Sequence, residues 1–327
     1  MTSPVHPRRS GWRAGPFASL AWLIGLVIVT AGAALALIVL SGMRNQYADL
    51  LAQFTAPALA GLVLTAAALA LMRFWRLTAS AVVSALLLAA TVWPQWFPPG
   101  SPAAAGAPTI YIYSANLYIH NDDVEAIAAS IRQADADVVM LIELGDATAP
   151  RLDELIPGYP HRITSPRVDR PKGGVRSVIA ARFPLTRLPR VPEVEAVAAR
   201  ARTPLGELNL VSVHLTRPWP FEESWGQISQ TAALTGLVKS LEGPVVVAGD
   251  FNSVSSARIG RQVRADMGLT AAPGFPGTWP SFAPSPLSIT IDQVYVSPEL
   301  AVVGRKLGRS NGSDHRPVVV RLTRAAG

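Results

Sequence analysis

Asp250 and Asn252 stand two residues apart at the exit of Val245-Val246-Val247-Ala248-Gly249, with Phe251 between them. Four small or β-branched apolar residues in a row read as a strand buried on both faces. Two-residue spacing on an extended backbone sends both polar side chains to one side. A carboxylate and a carboxamide emerging together from a buried strand are costly unless they bind something. Further polar residues fall at or beside other expected strand ends: Asn116, Glu143, His214, Asp292, Asp314 and His315. Strand ends gathered on one edge of a β-sandwich would place them on a rigid base. Asn116, Glu143 and Asp314 offer oxygen ligands, which suit Mg²⁺, Mn²⁺ or Ca²⁺ and not zinc. The histidines are then free for proton transfer or for hydrogen bonds to a phosphoryl group. A buried Asp292 would fix the tautomer of a neighbouring histidine.

The elements that must position these groups follow from the hydrophobic pattern. Strands are expected at Thr109–Tyr118, Val138–Ile142, His161–Thr164, Ser177–Arg182, Ile289–Val296 and Val318–Leu322. Ala196–Arg202 and Glu207–Leu215 read as a hairpin about Thr203-Pro204-Leu205-Gly206, and Lys172-Gly173-Gly174 as a turn. Helices are expected at Val124–Gln133, capped by Asn121, Asp122 or Asp123, and at Thr231–Leu241 and Ala257–Met267. His161 reads as a surface or packing residue. There is no internal repeat and no glycine-rich phosphate loop.

The N-terminal third is of another character. Half of the 327 residues are hydrophobic and 16% are charged, and the apolar excess lies at the N-terminus. No charged side chain occurs from Phe17 to Met43, from Leu50 to Met72, or from Leu77 through Asn121. These runs predict three transmembrane helices, the third over Leu77–Trp93, each able to cross ~30 Å of hydrocarbon. The first run is too long for the core of a cleaved signal peptide. Pro57 falls in the second span, where neighbouring helices could satisfy the carbonyl it frees. Arg8, Arg9 and Arg13 before the first span, and Arg73 and Arg76 before the third, outnumber Arg44 in the intervening loop. The positive-inside rule then puts everything after Trp93 outside the cytoplasm, with Trp93, Trp96 and Phe97 as an interfacial belt. This divides the chain into a membrane domain (1–97), a Pro/Ala/Gly linker (98–108) and a domain over 109–327. The stretch from Pro94 to Pro108 allows a reach of at most about 45 Å. The absence of cysteine excludes disulfides and thiolate metal sites. The net charge of +7 fits an anionic substrate or lipid surface.

Asn116, Glu143, the Val-His-Leu around His214, Gly-Asp-Phe-Asn, Ile291-Asp292 and Ser-Asp-His-Arg-Pro resemble, in this order, the motifs of the endonuclease/exonuclease/phosphatase superfamily. The resemblance covers about residues 109 to 323. It implies a four-layer α/β sandwich, two packed mixed β-sheets flanked by helices, hydrolysing phosphoester or phosphoanhydride bonds with Mg²⁺ or Mn²⁺. It makes Glu143 a principal metal ligand with Asn116 and Asp314 beside it. Asp250 and Asn252 would position water and phosphate, His315 and Asp292 would pair, and His214 would contact phosphate oxygen. Asp250 and His315 both remain candidates for the general base. Tyr118 stands where several nucleases carry an Asp, which weakens the case for a second metal, and Gln293 stands where His or Tyr is common.

With its apolar N-terminus the chain looks like the membrane-bound teicoplanin-resistance group, associated with dephosphorylating undecaprenyl pyrophosphate. A phosphorylated lipid is therefore the expected substrate. Arg217 and Trp219, with Phe221 and Trp225, would form a rim that holds phosphate and dips into headgroups. An extracellular nuclease, a phospholipid phosphodiesterase and a non-catalytic membrane sensor are the alternatives.

Overall fold

The computed structural model describes residues 15–165 and 177–327. The turn expected at Lys172-Gly173-Gly174 and the basic residues Arg8, Arg9 and Arg13 lie outside the described residues. Four helices come first: α1 (Pro16–Leu40), α2 (Gln46–Ala52), α3 (Thr55–Leu71) and α4 (Trp75–Trp96). The remainder alternates strands and helices: β1 (Thr109–Asn116), α5 (Val124–Ala134), β2 (Val138–Ile142), α6 (Leu152–Leu155), β3 (His161–Thr164), β4 (Val178–Ala181), β5 (Leu185–Arg187), β6 (Glu195–Thr203) and β7 (Gly206–His214). Then follow α7 (Ser224–Ser240), β8 (Val245–Asp250), α8 (Arg258–Met267), β9 (Thr270–Ala271), β10 (Asp292–Val296), β11 (Leu300–Leu307) and β12 (Val318–Arg324).

The strands make two six-stranded mixed sheets, ordered β11-β12-β1-β2-β4-β3 and β5-β6-β7-β8-β10-β9. Their central strands are apolar on both faces because each sheet is covered twice. Val246 and Ala248 of β8 face Ile110, Ile112, Val138 and Met140 of the other sheet. Val245 and Val247 face α7 and α8 through Leu234, Leu237, Ile259 and Val263. The outer face of the first sheet packs Tyr113, Val139 and Leu141 on Ile127 and Ile131 of α5. Each such fully buried aliphatic side chain contributes roughly 1.5–3 kcal/mol of transfer free energy. The Asp123 side chain caps α5 by accepting from Ala126 N at 2.9 Å.

Among the described residues α1 and α4 are each long and apolar enough to cross a membrane, and the bent pair α2–α3 makes a third span if it is counted as one. The second expected span is not one straight helix. It breaks into α2 and α3, bent by 60°. Pro57 explains the break: continuing α2 would require a Pro57 N–H for the Gln53 carbonyl, and the proline ring would collide with that carbonyl. In the first turn of α3 the missing N–H costs nothing. At 1.5 Å per residue the 17-residue α3 is about 25 Å long, at the lower end of the lengths that can span a bilayer. α2 turns aside and docks on the loops that follow β8 and precede β10. Ala52 packs with Val254, Ala257, Ile289 and Ile291, and Asp49 pairs with Arg258 at 3.3 Å.

The Pro/Ala/Gly stretch after α4 is pinned along the last strand. Ala104 N donates to Arg324 O at 2.9 Å, Ala326 N to Pro102 O at 2.8 Å, and Ser101 Oγ to Pro298 O at 2.9 Å. Three strands, β5, β9 and β11, were not expected from the sequence pattern. β11 carries Gly304 at an irregularity of register, which breaks the alternation that marks a strand. α7 starts at Ser224, seven residues earlier than expected, and β10 starts at Asp292, so Asp292 is its first residue and not an interior one.

Candidate active site

Register brings the polar residues to one level. In the parallel pair β7–β8, His214 lies opposite Asp250. In the antiparallel pair β8–β10, Asp250 lies opposite Asp292. The other sheet ends at the same edge, with Asn116 opposite Ile142 and Glu143 the next residue. His315 and Asp314 enter from the loop before β12. All eight candidates for catalysis and metal binding therefore meet where the two sheets end, while Arg217 borders the cavity in front of them.

The backbone there is bent to present them. Glu143 and Asn252 have φ of 57° and 47°, and Tyr118 has 61°. Left-handed non-glycine residues cost of order 1–3 kcal/mol each, and such strain collects at functional sites. Gly249 has φ 141°, and a Cβ there would sit 1.9 Å from Val213 O, so β7 and β8 could not pair at this point with a larger residue.

Two groups can be distinguished. In the first, Asn116 Nδ2 donates to Glu143 Oε1 at 2.9 Å and Asp250 Oδ2 at 3.2 Å, while Tyr118 N donates to Asn116 Oδ1 at 2.9 Å. Asn116 thus turns its nitrogen, not its oxygen, toward the carboxylates and acts to hold Glu143. Ile119 N donates to Glu143 Oε2 at 3.2 Å. His214 Nε2 lies 3.3 Å from Glu143 Oε1 and 3.5 Å from Asn252 Nδ2. Asn252 is fixed by donating from Nδ2 to Leu215 O at 2.9 Å and from its backbone N to Asp250 Oδ1 at 2.7 Å. In the second group, His315 Nδ1 lies 2.9 Å from Asp292 Oδ2, and Trp279 Nε1 donates to Asp314 Oδ2 at 3.3 Å. Asp250 Oδ2 sits between the groups, 3.9 Å from Nε2 of each histidine. That is too long for a hydrogen bond.

Electrostatics separate the titrating groups. Burial pushes the Asp250 carboxyl up, to about 7, against the pull of His315. Burial pushes His214 below the usual imidazole range; Glu143 opposes this, and His315 and Arg217 reinforce it. Burial would lower His315 as well, but Asp292, Asp250 and Asp314 outweigh it and raise the imidazole to about 10.

The residues fit a divalent cation. Donor atoms of Glu143, His214 and Asp250 lie within 4.8 Å of one another, as do those of Asp250, Asp292 and His315. Asp314, expected as a ligand, belongs to neither of these clusters; its Oδ1 is buried without a hydrogen-bond partner, 4.0 Å from His315 Nε2.

The site opens into a cavity of about 450 Å³. Its polar floor includes Glu143, Asp250, Asn252, Asp314 and His315, and its walls include Arg217, Phe221, Trp279, Ile289 and Ile291. Leu50, Gln53 and Phe54 from the α2–α3 bend complete the wall. Trp219, expected on the rim, does not line this cavity. It packs on Tyr47 with ring centroids 5.0 Å apart, so it serves to dock α2. Sequence reasoning missed Trp279 and the bend residues. The only signals were an indole two residues beyond Gly277 and a proline inside an apolar run.

Residues 113–315 match the Endonuclease/Exonuclease/phosphatase family. A UPF0294 protein of Vibrio parahaemolyticus is 32% identical over 143 residues, 43% of this chain and 47% of that relative, so the match spans about half the relative's length. Among solved structures, an endonuclease/exonuclease/phosphatase from Beutenbergia cavernae is similar with a TM-score of 0.51 and 20% identity, covering 67% of this chain and 72% of that one. A mannosyl-6-phosphatase of Bacteroides thetaiotaomicron gives 0.53 and 18%, covering 65% and 99%; humanized Danio rerio TDP2 gives 0.53 and 16%, covering 66% and 99%. With the matched region spanning the strand ends that carry the polar cluster, the chain belongs to the endonuclease/exonuclease/phosphatase family.

Proposed function

We propose that the chain is a membrane-anchored, divalent-metal-dependent phosphohydrolase acting on a phosphoester or phosphoanhydride of a lipid, with undecaprenyl pyrophosphate the leading substrate. In this reading residues 1–97 form the membrane domain, 98–108 the linker and 109–327 the catalytic domain, held outside the cytoplasm. The observation that carries it is the cavity: a polar floor of family catalytic residues under a wall partly built by Leu50 and Phe54 of the apolar helices. A phosphate at the floor would leave its hydrocarbon attachment against that wall, next to helices suited to a bilayer.

Glu143 and Asp314 would hold Mg²⁺ or Mn²⁺, with Asn116 aligning Glu143. When bound, the ion neutralises phosphate charge and stabilises the leaving oxygen. Asp250, raised toward neutrality, is matched to accept the proton of the attacking water. His315, kept protonated by Asp292, donates from Nε2 toward the phosphoryl or leaving oxygen. His214 and Asn252 hold the phosphoryl group, and Arg217 steers the anion inward.

The test is full-length protein in detergent micelles with Mg²⁺, assayed on undecaprenyl pyrophosphate, sphingomyelin and plasmid DNA. Phosphate release from the lipid pyrophosphate, well above turnover of the other two, is expected. Nicking of DNA at a higher rate would overturn the lipid reading in favour of a nuclease. Orientation is checked separately: a reporter active only outside the cytoplasm should be active when fused at Gly327 and silent after Arg76.

A further inference from the structure

The turn that carries Asn252 is held from three directions by carboxamides. Gln227 of α7 donates from Nε2 to Phe251 O and Asn252 O, both at 3.2 Å. Gln293 of β10 donates from Nε2 to Ser253 O at 3.3 Å. The third comes from outside the catalytic-side domain. Gln53, at the α2–α3 bend, accepts from Val254 N at its Oε1 at 2.8 Å and places its Nε2 3.5 Å from Ser253 Oγ. Gln53 is 5% exposed and is itself held by donating to Asp49 O at 3.0 Å. The helix break that delivers it is set by Pro57, and Asp49–Arg258 and Tyr47–Trp219 fasten the same segment on either side.

We propose that Gln53 is a positioning residue of the active site, so that the bend between the apolar helices completes the catalytic turn; this rests on the assignment of Asp250 and Asn252 to the reaction. Asn252 is in a left-handed conformation, and such a turn persists only where its surroundings over-determine it. The Val254 N–H is buried, so removing its acceptor leaves an unpaired donor two residues from Asn252. The turn would then relax and move the Asn252 amide out of line with His214 and Leu215 O. The consequence is that the membrane-side helices act on turnover and not only on location.

The test compares Gln53→Met, which keeps the unbranched shape and removes the acceptor, with Gln53→Glu, which keeps an acceptor for Val254 N. Full-length protein in micelles is assayed on bis(p-nitrophenyl) phosphate, a soluble phosphodiester that needs no lipid recognition, so failure of the lipid reading does not affect the outcome. Gln53→Met should lower kcat about tenfold with KM changed less than about twofold, and Gln53→Glu, which keeps the acceptor but loses the donor to Asp49 O, should recover part of it. Amide hydrogen exchange at Val254 should rise about tenfold in Gln53→Met at unchanged α7 and β8 protection. Unchanged kcat and unchanged Val254 exchange in Gln53→Met would overturn the proposal, as would a loss of kcat with Val254 exchange unchanged. If Gln53→Met does not fold, exchange in the unaltered chain decides: Val254 and the α2 amides should open together, and independent opening would overturn it.

Discussion

The two histidines of the site sit on either side of one carboxylate, at equal distance from it, and are prepared for opposite work. His214 ends a strand, faces Glu143 and Asn252 through the same nitrogen, and is driven toward the neutral form by burial. His315 arrives on a loop, is bound at Nδ1 by Asp292, and is driven toward the charged form by three carboxylates. Burial acts downward on both. What differs is whether a carboxylate is committed to the ring by a hydrogen bond. Glu143, which also accepts from Asn116 Nδ2 and Ile119 N, pulls on His214 from 3.3 Å without overcoming its burial, whereas Asp292 keeps one oxygen free of any partner and gives the other to His315. The comparison teaches that partner geometry, more than burial, sets which imidazole carries a proton.

The strongest way to break this contrast is to remove the Asp292 charge. Asp292→Asn should lower kcat by about 10²–10³, within the range for an acid–base group, with circular dichroism unchanged. His315→Ala should cost about as much, and the double variant little more than either alone, because paired residues act as a unit. Losses that multiply would separate the two roles.

On the other side, Glu143→Gln keeps shape and drops charge. It should raise the Mg²⁺ concentration needed for half activity by roughly ten- to a hundredfold with the circular dichroism spectrum unchanged. Activity should vanish with EDTA and return with Mg²⁺ or Mn²⁺. Full recovery with zinc alone would count against an oxygen ligand set.

A pH series on the EDTA-treated protein sharpens the contrast. His315 is raised from 6.5 to about 10 on folding, so its stabilisation is complete below about 6.5 and is lost as pH rises through about 10. Asp250 is raised from 3.8 to about 7, so its contribution is lost earlier, as pH rises through about 7. The thermal midpoint should therefore fall on going from pH 6.5 to 10, and Asp292→Asn should flatten that upper limb. An equally steep fall in Asp292→Asn would remove His315 as its cause.

The smallest effect is expected at Trp279. Trp279→Phe keeps an aromatic side chain, smaller than the indole, and removes the donor to Asp314 Oδ2; it should raise the metal concentration needed for half activity by about three- to tenfold. No change would mean that Asp314 needs no help from the indole.

Much of this was legible without coordinates. The β1, β2, β7 and β8 runs show their period in β-branched and aliphatic residues, because strands buried on both faces can use few other types. The polar residues of the candidate site stand out because a carboxylate at the end of such a run has a cost that only a ligand or partner offsets. Polar type and strand-end position therefore marked Asn116, Glu143, His214, Asp250, Asn252, Asp292, Asp314 and His315 as candidates for one site, and the family resemblance of their motifs carried the fold class. Tertiary structure alone decided the rest. Whether Asn116 offers oxygen or nitrogen depends on Tyr118 N taking the oxygen, and Trp219 is drawn from the cavity to Tyr47. Gln53 and Phe54 read as ordinary residues of an apolar run until the Pro57 break turns them into the cavity. Such contacts join residues some 200 positions apart, and local pattern carries no information about which distant surface a side chain will meet.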